Sequence, residues 1–152
     1  MYLPWYSWME CGIEILVAED DETDRFLISR AFGKTEFGSS MVIARDGQEA
    51  VERLQSLGPG TRPKLLLLDL KMPRMDGFAV LEWLSSHPEQ RPPLVVVLSS
   101  SVDPRDAERS AMLGADLHLT KPHDSREFVR LARELLERLP GRRTAPGVKP
   151  NS

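Results

Sequence analysis

The chain alternates short apolar runs with segments of helical periodicity, and this alternation strongly limits the folds open to it. The runs at 65–68 and 94–98 contain only Leu and Val, without the polar alternation of a strand that faces water on one side. Uninterrupted runs of this kind are typical of central parallel strands with helices on both faces. Strand character is found in five runs, at positions 13–18, 41–44, 64–68, 94–98 and 116–119.

The segments between the runs follow the spacing of amphipathic helices, as Val80, Leu81 and Leu84 illustrate. Because strands and helices alternate strictly, we expect parallel pairing through right-handed crossovers. The sequence therefore predicts a doubly wound α/β fold, a five-stranded parallel sheet with helices on both faces. Placing the two longest apolar runs inside the sheet favours the strand order 2-1-3-4-5 of flavodoxin-like folds. N-caps are predicted at Thr23 or Asp24, Asp46, Asp76, Asp103 and Asp124.

Composition excludes several classes of protein. With 20 basic and 23 acidic side chains the formal net charge is −3, which argues against nucleic-acid binding through a basic patch. Cys11 is the single cysteine, so an intramolecular disulfide framework and a cysteine-rich metal site are excluded, and a reducing, cytoplasmic compartment is indicated. No run approaches the roughly 18 apolar residues of a membrane span.

The length of 152 residues predicts a single domain. We expect this domain to cover residues 13–139, with a flexible extension at 1–12 and a disordered, Pro- and Gly-rich tail at 140–152. Aromatic residues in the extension leave two interpretations open. It is either a poorly ordered chain end or an arm that docks on a partner or on a second copy.

Acidic residues follow the first and third predicted strands, at the edge where doubly wound sheets carry their sites. Glu19, Asp20 and Asp21 end the first strand, and Asp69 directly follows the third. Converging carboxylates repel each other unless a cation neutralises them, and Mg²⁺ prefers such oxygen ligands. The alternative for residues 19–22 is a solvated acidic turn in which Asp21 or Thr23 caps a helix. The buried strand before Asp69 favours the magnesium site.

Lys121 and Ser99 follow the fifth and fourth strands, at the same predicted edge. The Lys121 ammonium is expected to reach a phosphoryl oxygen, with Pro122 fixing the lysine through a cis peptide bond. Ser99 offers a hydroxyl to another phosphoryl oxygen. The alternatives are a solvent-exposed lysine and an ordinary turn serine.

Four segments, each at the end of a predicted strand and in the same order, resemble those of a known family. They are ILVAEDD, LLLLDLKMPRMDG, VVVLSSS and GADLHLTKP. Over residues 13–139 the chain resembles the receiver domain of two-component response regulators, in the stand-alone form known from chemotaxis receivers. The LSSS segment and the short length are also similar to small regulators paired with phytochrome-type kinases.

The resemblance implies a role for each matching residue. Asp69 takes the phosphoacceptor position, Lys121 that of the family's active-site lysine, and Ser99 that of the hydroxyl switch residue. His118 falls on the partner switch position, where the family often has Tyr or Phe. An ordinary surface histidine on an edge strand is the alternative for His118.

The acidic pair of the family falls on Glu19 and Asp20, because the arginine that commonly opens the first helix lies at Arg25 and fixes the spacing. Asp21 is then left out of the pair. The resemblance implies Mg²⁺ as the cofactor. Its implied ligands are Asp20, Asp69 and the backbone carbonyl of Lys71, with Glu19 acting through water.

The resemblance implies a signalling phosphoacceptor that catalyses only its own phosphorylation and dephosphorylation. A histidine kinase or phosphotransfer protein supplies the phosphoryl group, and output runs through contacts with a downstream protein. A homodimer through 104–119 and 124–138 is a further expectation, without nucleic-acid or membrane contact. Two alternatives stay open, a degenerate receiver that acts only as an interaction module and a small aspartyl-phosphate phosphotransferase.

Overall fold

A computed structural model describes residues 14–58 and 60–139 of the chain, in which five strands alternate with five helices. The strands are β1 (Ile15–Ala18), β2 (Met41–Ala44), β3 (Leu65–Leu68), β4 (Leu94–Ser99) and β5 (Leu117–Thr120). The helices are α1 (Glu22–Gly33), α2 (Gly47–Ser56), α3 (Gly77–Ser86), α4 (Pro104–Met112) and α5 (Ser125–Glu137). Each strand lies on a predicted apolar run, with ends shifted by at most two residues. The predicted extension 1–12 and tail 140–152 lie outside the described residues.

The strands are parallel, and their order across the sheet is β2-β1-β3-β4-β5. This order confirms the predicted doubly wound fold. Within β1, Ile15 lies opposite Met41 on one side and Leu65 on the other. From β1 the chain moves outward to β2, and from β3 it moves outward to β4 in the opposite direction. A crevice therefore opens between the carboxyl ends of β1 and β3.

Alternate strand residues face two separate apolar layers. Ile15 and Val17 pack with α1 and α5, whereas Leu16 and Ala18 pack with α2 and α3. All four are at most 1% exposed. Close packing on both faces makes β1 and β3 a rigid base for the residues that follow them.

Four of the five predicted helix caps are confirmed; for the first helix Thr23 and Asp24 are wrong, and the alternative cap Asp21 is the one observed. Backbone N–H groups in the first turns of α2 to α5 donate to the carboxylates of Asp46, Asp76, Asp103 and Asp124. In α1 the cap is Asp21, because its backbone is extended and its carboxylate accepts from the Asp24 N–H at 2.8 Å. Thr23 and Asp24, the predicted caps, instead lie inside the first turn of the helix.

The two helices that follow β4 and β5 are packed differently. Helix α5 buries Phe128, Ala132, Leu135 and Leu136. Helix α4 buries Ser110 alone, and its Met112 is 84% exposed. Within residues 14–58 and 60–139, no helix has both the length and the apolar character needed to span a membrane.

Candidate functional site

Three carboxylates meet at the carboxyl ends of β1 and β3. Glu19 and Asp69 are buried and Asp20 is exposed, and one oxygen of each lies within 4.8 Å of the other two. The backbone fixes them, since the Glu19 N–H donates to Ala44 O and the Asp69 N–H donates to Ala18 O, each at 3.0 Å. Oxygen atoms of like charge at this spacing suit a hard divalent cation. The buried strand β3 thus places Asp69 beside Glu19 and Asp20.

Asp21 does not belong to this group of carboxylates. Its side chain caps α1, and its N–H donates to Glu19 Oε1 at 3.1 Å. The Arg25 guanidinium turns back from α1 and donates to the backbone carbonyl of Asp20. The structure therefore groups Glu19 with Asp20 and turns Asp21 toward the helix.

The Lys121 ammonium joins the ends of β1, β3 and β5. Its Nζ lies 3.0 Å from Glu19 Oε2, 3.2 Å from Asp69 Oδ2 and 2.8 Å from Asp24 Oδ2. The side chain is 11% exposed, which rules out the solvent-exposed lysine. The predicted cis bond at Pro122 is wrong, since the described residues contain no cis peptide. The Lys121 N–H donates to Ser99 O at 2.9 Å, and this β4–β5 bond places the lysine without a cis bond.

Burial and mutual repulsion change the ionisation of this cluster. Burial, followed by the charge of Asp69, raises the pKa of Glu19 from 4.5 to about 7. Burial opposes the charge on Lys121, but the hydrogen bond to Asp24 and the charges of Asp69 and Glu19 raise its pKa above its usual value. The lysine therefore stays protonated and is the positive charge that offsets these carboxylates in the protein alone.

Leu70 and Ser99 make further hydrogen bonds at the ends of β3 and β4. The Leu70 N–H donates to Asp69 Oδ1 at 2.8 Å, which leaves Oδ2 facing Lys121. Ser99, the last residue of β4, is 1% exposed. Its Oγ accepts from the Ser101 N–H at 3.1 Å, a bond that does not use the serine's own hydroxyl proton. Ser99 is therefore a buried hydroxyl with a proton to donate.

His118 is half-buried between β5 and α4. Its Nδ1 lies 3.0 Å from Ser110 Oγ, and the same oxygen lies 3.0 Å from the carbonyl of Ala107. A hydroxyl carries one proton, so both bonds form when Ser110 donates to Ala107 and the His118 Nδ1–H donates to Ser110. His118 thus ties the middle of β5 to the one buried side chain of α4.

The loop between β3 and α3 is fixed by contacts with the start of α2. Arg74, at φ 64°, donates through Nε to Asp46 Oδ2 at 2.8 Å and through Nη2 to Asp46 Oδ1 at 3.1 Å. The Gly47 N–H donates to Met75 O at 3.0 Å. A Cβ at Gly77 would lie 2.3 Å from Asp69 O, so only glycine permits this close approach. The loop that carries Lys71 is held from both sides.

An open cavity of about 580 Å³ extends from Asp20 along this loop to α4. Arg109 covers its far end, with the guanidinium 4.0 Å from the centre of the Phe78 ring. The lining residues are Asp20, Leu70, Lys71, Met72, Asp76, Phe78 and Arg109.

Two pairs in this region escape the sequence analysis. Asp24 is predicted only as a helix cap, yet it makes the shortest contact to Lys121, 97 positions away. Asp46 and Arg74 are 28 positions apart, and no spacing rule connects them.

A family model for the response regulator receiver domain matches residues 15–133 of this chain. The chain therefore belongs to the receiver domain family of two-component response regulators. Receiver domains are signalling phosphoacceptor domains.

Individual relatives agree with the family. The probable methanogenesis regulatory protein FilR2 of Methanothrix harundinacea is 33% identical over 135 residues, which cover 88% of this chain and 87% of FilR2. Response regulator MprA of Mycobacterium sp. (strain KMS) is 36% identical over 140 residues, 92% of this chain and 55% of MprA. The chain thus spans about half the length of the MprA relatives.

Solved structures show the same fold. The phosphorylated cyanobacterial phytochrome response regulator RcpA is 31% identical, with a TM-score of 0.76 over 90% of this chain and 99% of RcpA. The Mn²⁺-bound form of response regulator Rcp1 is 29% identical, with a TM-score of 0.72 over 86% of this chain and 97% of Rcp1.

Proposed function

We propose that Asp69 accepts a phosphoryl group from a phosphohistidine of a histidine kinase or phosphotransfer protein. The position of Lys121 carries this proposal, because its Nζ lies 3.2 Å from Asp69 Oδ2 and 3.0 Å from Glu19 Oε2. One ammonium thus connects the ends of three strands and contacts two buried carboxylates, those of Glu19 and Asp69. Membership in the receiver family supports the same role.

In the proposed step an Asp69 oxygen bonds to phosphorus in line with the departing imidazole nitrogen. The electron pair of the broken P–N bond stays on that nitrogen, which takes up a proton, and the product is an aspartyl phosphate. The Leu70 N–H holds the carboxylate in one orientation through Oδ1. The Lys121 ammonium offsets charge on the phosphoryl oxygens.

We propose Mg²⁺ as the cofactor of this step. Asp20, Asp69 and the backbone carbonyl of Lys71 would hold it, with Glu19 acting through water. The 4.8 Å grouping of the carboxylate oxygens fits a cation that prefers oxygen ligands. When bound, the ion supplies the positive charge that lets an anionic phosphoryl group approach the cluster.

Ser99 and His118 are proposed to connect phosphorylation to α4. The Ser99 hydroxyl retains a proton that can be donated to a phosphoryl oxygen. His118 contacts α4 through Ser110, so movement at the end of β4 can reach α4 through β5. This route is a polar version of the aromatic switch that the family resemblance implies.

Output is proposed to run through protein contacts in the cytoplasm, with a downstream protein or with a second copy through 104–119 and 124–138. Several charges of this surface already have partners within the chain. Arg105 pairs with Asp103 at 2.9 Å, and Asp116 pairs with Arg91 at 3.0 Å. The exposed side chain of Met112 supplies apolar area for such a contact.

Phosphorylation by acetyl phosphate, followed by intact-mass measurement, tests the proposal. The chain should gain the mass of one phosphoryl group with Mg²⁺ and none with a chelator. Asp20→Asn should weaken Mg²⁺ binding, and so raise the Mg²⁺ concentration needed for labelling, far more than Asp21→Asn, a matched control because Asn also caps helices. Equal effects of the two substitutions would place the acidic pair one residue further along, and full labelling of Asp69→Asn would contradict the assignment of the acceptor.

A further inference from the structure

Lys121 has a third carboxylate partner that the proposed phosphoryl transfer does not require. Its Nζ lies 2.8 Å from Asp24 Oδ2, closer than to Glu19 at 3.0 Å or to Asp69 at 3.2 Å. An ammonium has three N–H donors, so the three carboxylates together engage all of them. A phosphoryl oxygen that accepts a hydrogen bond from Lys121 must therefore replace one of these three carboxylates.

Asp24 lies on the solvent side of this lysine. Its side chain is 25% exposed, against 2% for Glu19 and 7% for Asp69. The Asp21 cap explains its position, because starting the helix at Glu22 places Asp24 in the first turn of α1. A donor that approaches Asp69 from the solvent side of Lys121 therefore meets the Asp24 carboxylate.

We infer that Asp24 determines which phosphoryl donors the site accepts, an inference that rests on the proposed function of Asp69. Because Asp24 and Asp69 share one nitrogen, the Asp24 charge lies within a few ångströms of the incoming phosphoryl group. Its repulsion grows with the charge of the donor and is only partly screened at this range. Dianionic small donors are therefore disfavoured relative to donors of lower net charge.

Two small donors isolate this effect of charge. Near neutral pH acetyl phosphate is a dianion, whereas phosphoramidate has a protonated nitrogen and is a monoanion overall. The measured quantity is the ratio of their second-order rate constants for labelling Asp69 with saturating Mg²⁺. A substitution that only lowers the fraction of folded, active protein changes both rate constants equally, and this change cancels in the ratio.

Asp24→Asn should raise the ratio of acetyl phosphate to phosphoramidate rate constants by roughly three- to tenfold. Asp24→Glu, which keeps the charge, should leave the ratio near the wild-type value. Asp21→Asn is the matched control, since it removes an equal charge three residues away without touching Lys121, and it should change the ratio less than twofold.

The outcomes separate the two proposals. A wild-type chain that both donors label, with the same ratio in Asp24→Asn, contradicts the role of Asp24 and leaves that of Asp69 intact. An equal rise of the ratio in Asp21→Asn also contradicts it, because the ratio then depends on the net charge of the protein and not on the position of Asp24. If neither donor labels the wild-type chain, the proposed function fails and the inference on Asp24 fails with it.

Discussion

Helices α4 and α5 are attached to the same sheet by different kinds of contact. Helix α5 buries four apolar side chains, whereas α4 buries Ser110, whose hydroxyl bonds to His118 on β5. Burying a large apolar side chain contributes a few kcal/mol, and a typical hydrogen bond contributes about 1 kcal/mol. The comparison indicates a rigid part of the molecule under α5 and a weakly held part at α4.

The proposed phosphoryl site draws on both parts. Lys121 lies between β5 and the firmly packed α5, so the positive charge is held in place. Ser99 and His118 lead instead toward α4. In such a site the reacting groups stay in place beside α5 while α4 moves. Movement of α4 is possible because exchanging polar contacts costs less free energy than breaking apolar packing.

The largest difference between the two helices should appear in stability. Leu135 of α5 is 1% exposed, so Leu135→Ala should lower the free energy of unfolding by about 3 kcal/mol. Met112→Ala on α4 should change it by less than about 0.5 kcal/mol, since Met112 is exposed. Urea denaturation measures both values. Similar losses from the two variants would remove the distinction between the helices.

A second effect concerns the pH dependence of stability without metal. The pKa of Glu19 is raised from 4.5 to about 7, so the folded protein binds this proton more tightly than the unfolded chain does. The resulting stabilisation is complete below about pH 4.5 and is lost as the pH rises through about 7. Over this range the free energy of unfolding of the wild type should fall more steeply than that of Glu19→Gln. Parallel curves for the two proteins would contradict the buried, repelled state of Glu19.

The polar attachment of α4 predicts a smaller effect. Ser110→Ala removes the partner of His118 and should cost about 1 kcal/mol of stability. Amide hydrogen exchange should become faster in α4 and stay unchanged in α5. Ser86→Ala, at an exposed serine that bonds only within α3, is the control. Faster exchange spread evenly over both helices would show that Ser110 does not hold α4 specifically.

The smallest expected effect is at the loop between β3 and α3. Asp46→Asn keeps the helix cap but loses the ion pair with Arg74, whose side chain is 60% exposed. Because solvent screens this exposed pair, the loss of stability should be smaller than that of Ser110→Ala. The measured change in Mg²⁺ affinity should be modest as well. A loss of unfolding free energy as large as that of Leu135→Ala would contradict this expectation and would show that the Asp46–Arg74 pair belongs to the rigid part of the molecule.

Local patterns in the sequence were sufficient to predict the strands and helices of the sheet, because the positions of apolar residues reflect which side chains are buried. They were not sufficient for the start of α1, where four of the five residues from Asp20 to Asp24 are Asp or Thr and can each cap a helix. Backbone conformation selects Asp21 among them. The contact between Asp24 and Lys121 depends in turn on that selection and on a residue 97 positions away.

The central claim is that the phosphoryl group is carried by the Asp69 carboxylate. Borohydride reduces an acyl phosphate of aspartate to homoserine, which peptide mass spectrometry locates. After labelling with acetyl phosphate and Mg²⁺, the chain should contain homoserine at position 69 and at no other aspartate. Homoserine at Asp20, Asp21 or Asp24, or a phosphoryl group that resists reduction, would contradict the account.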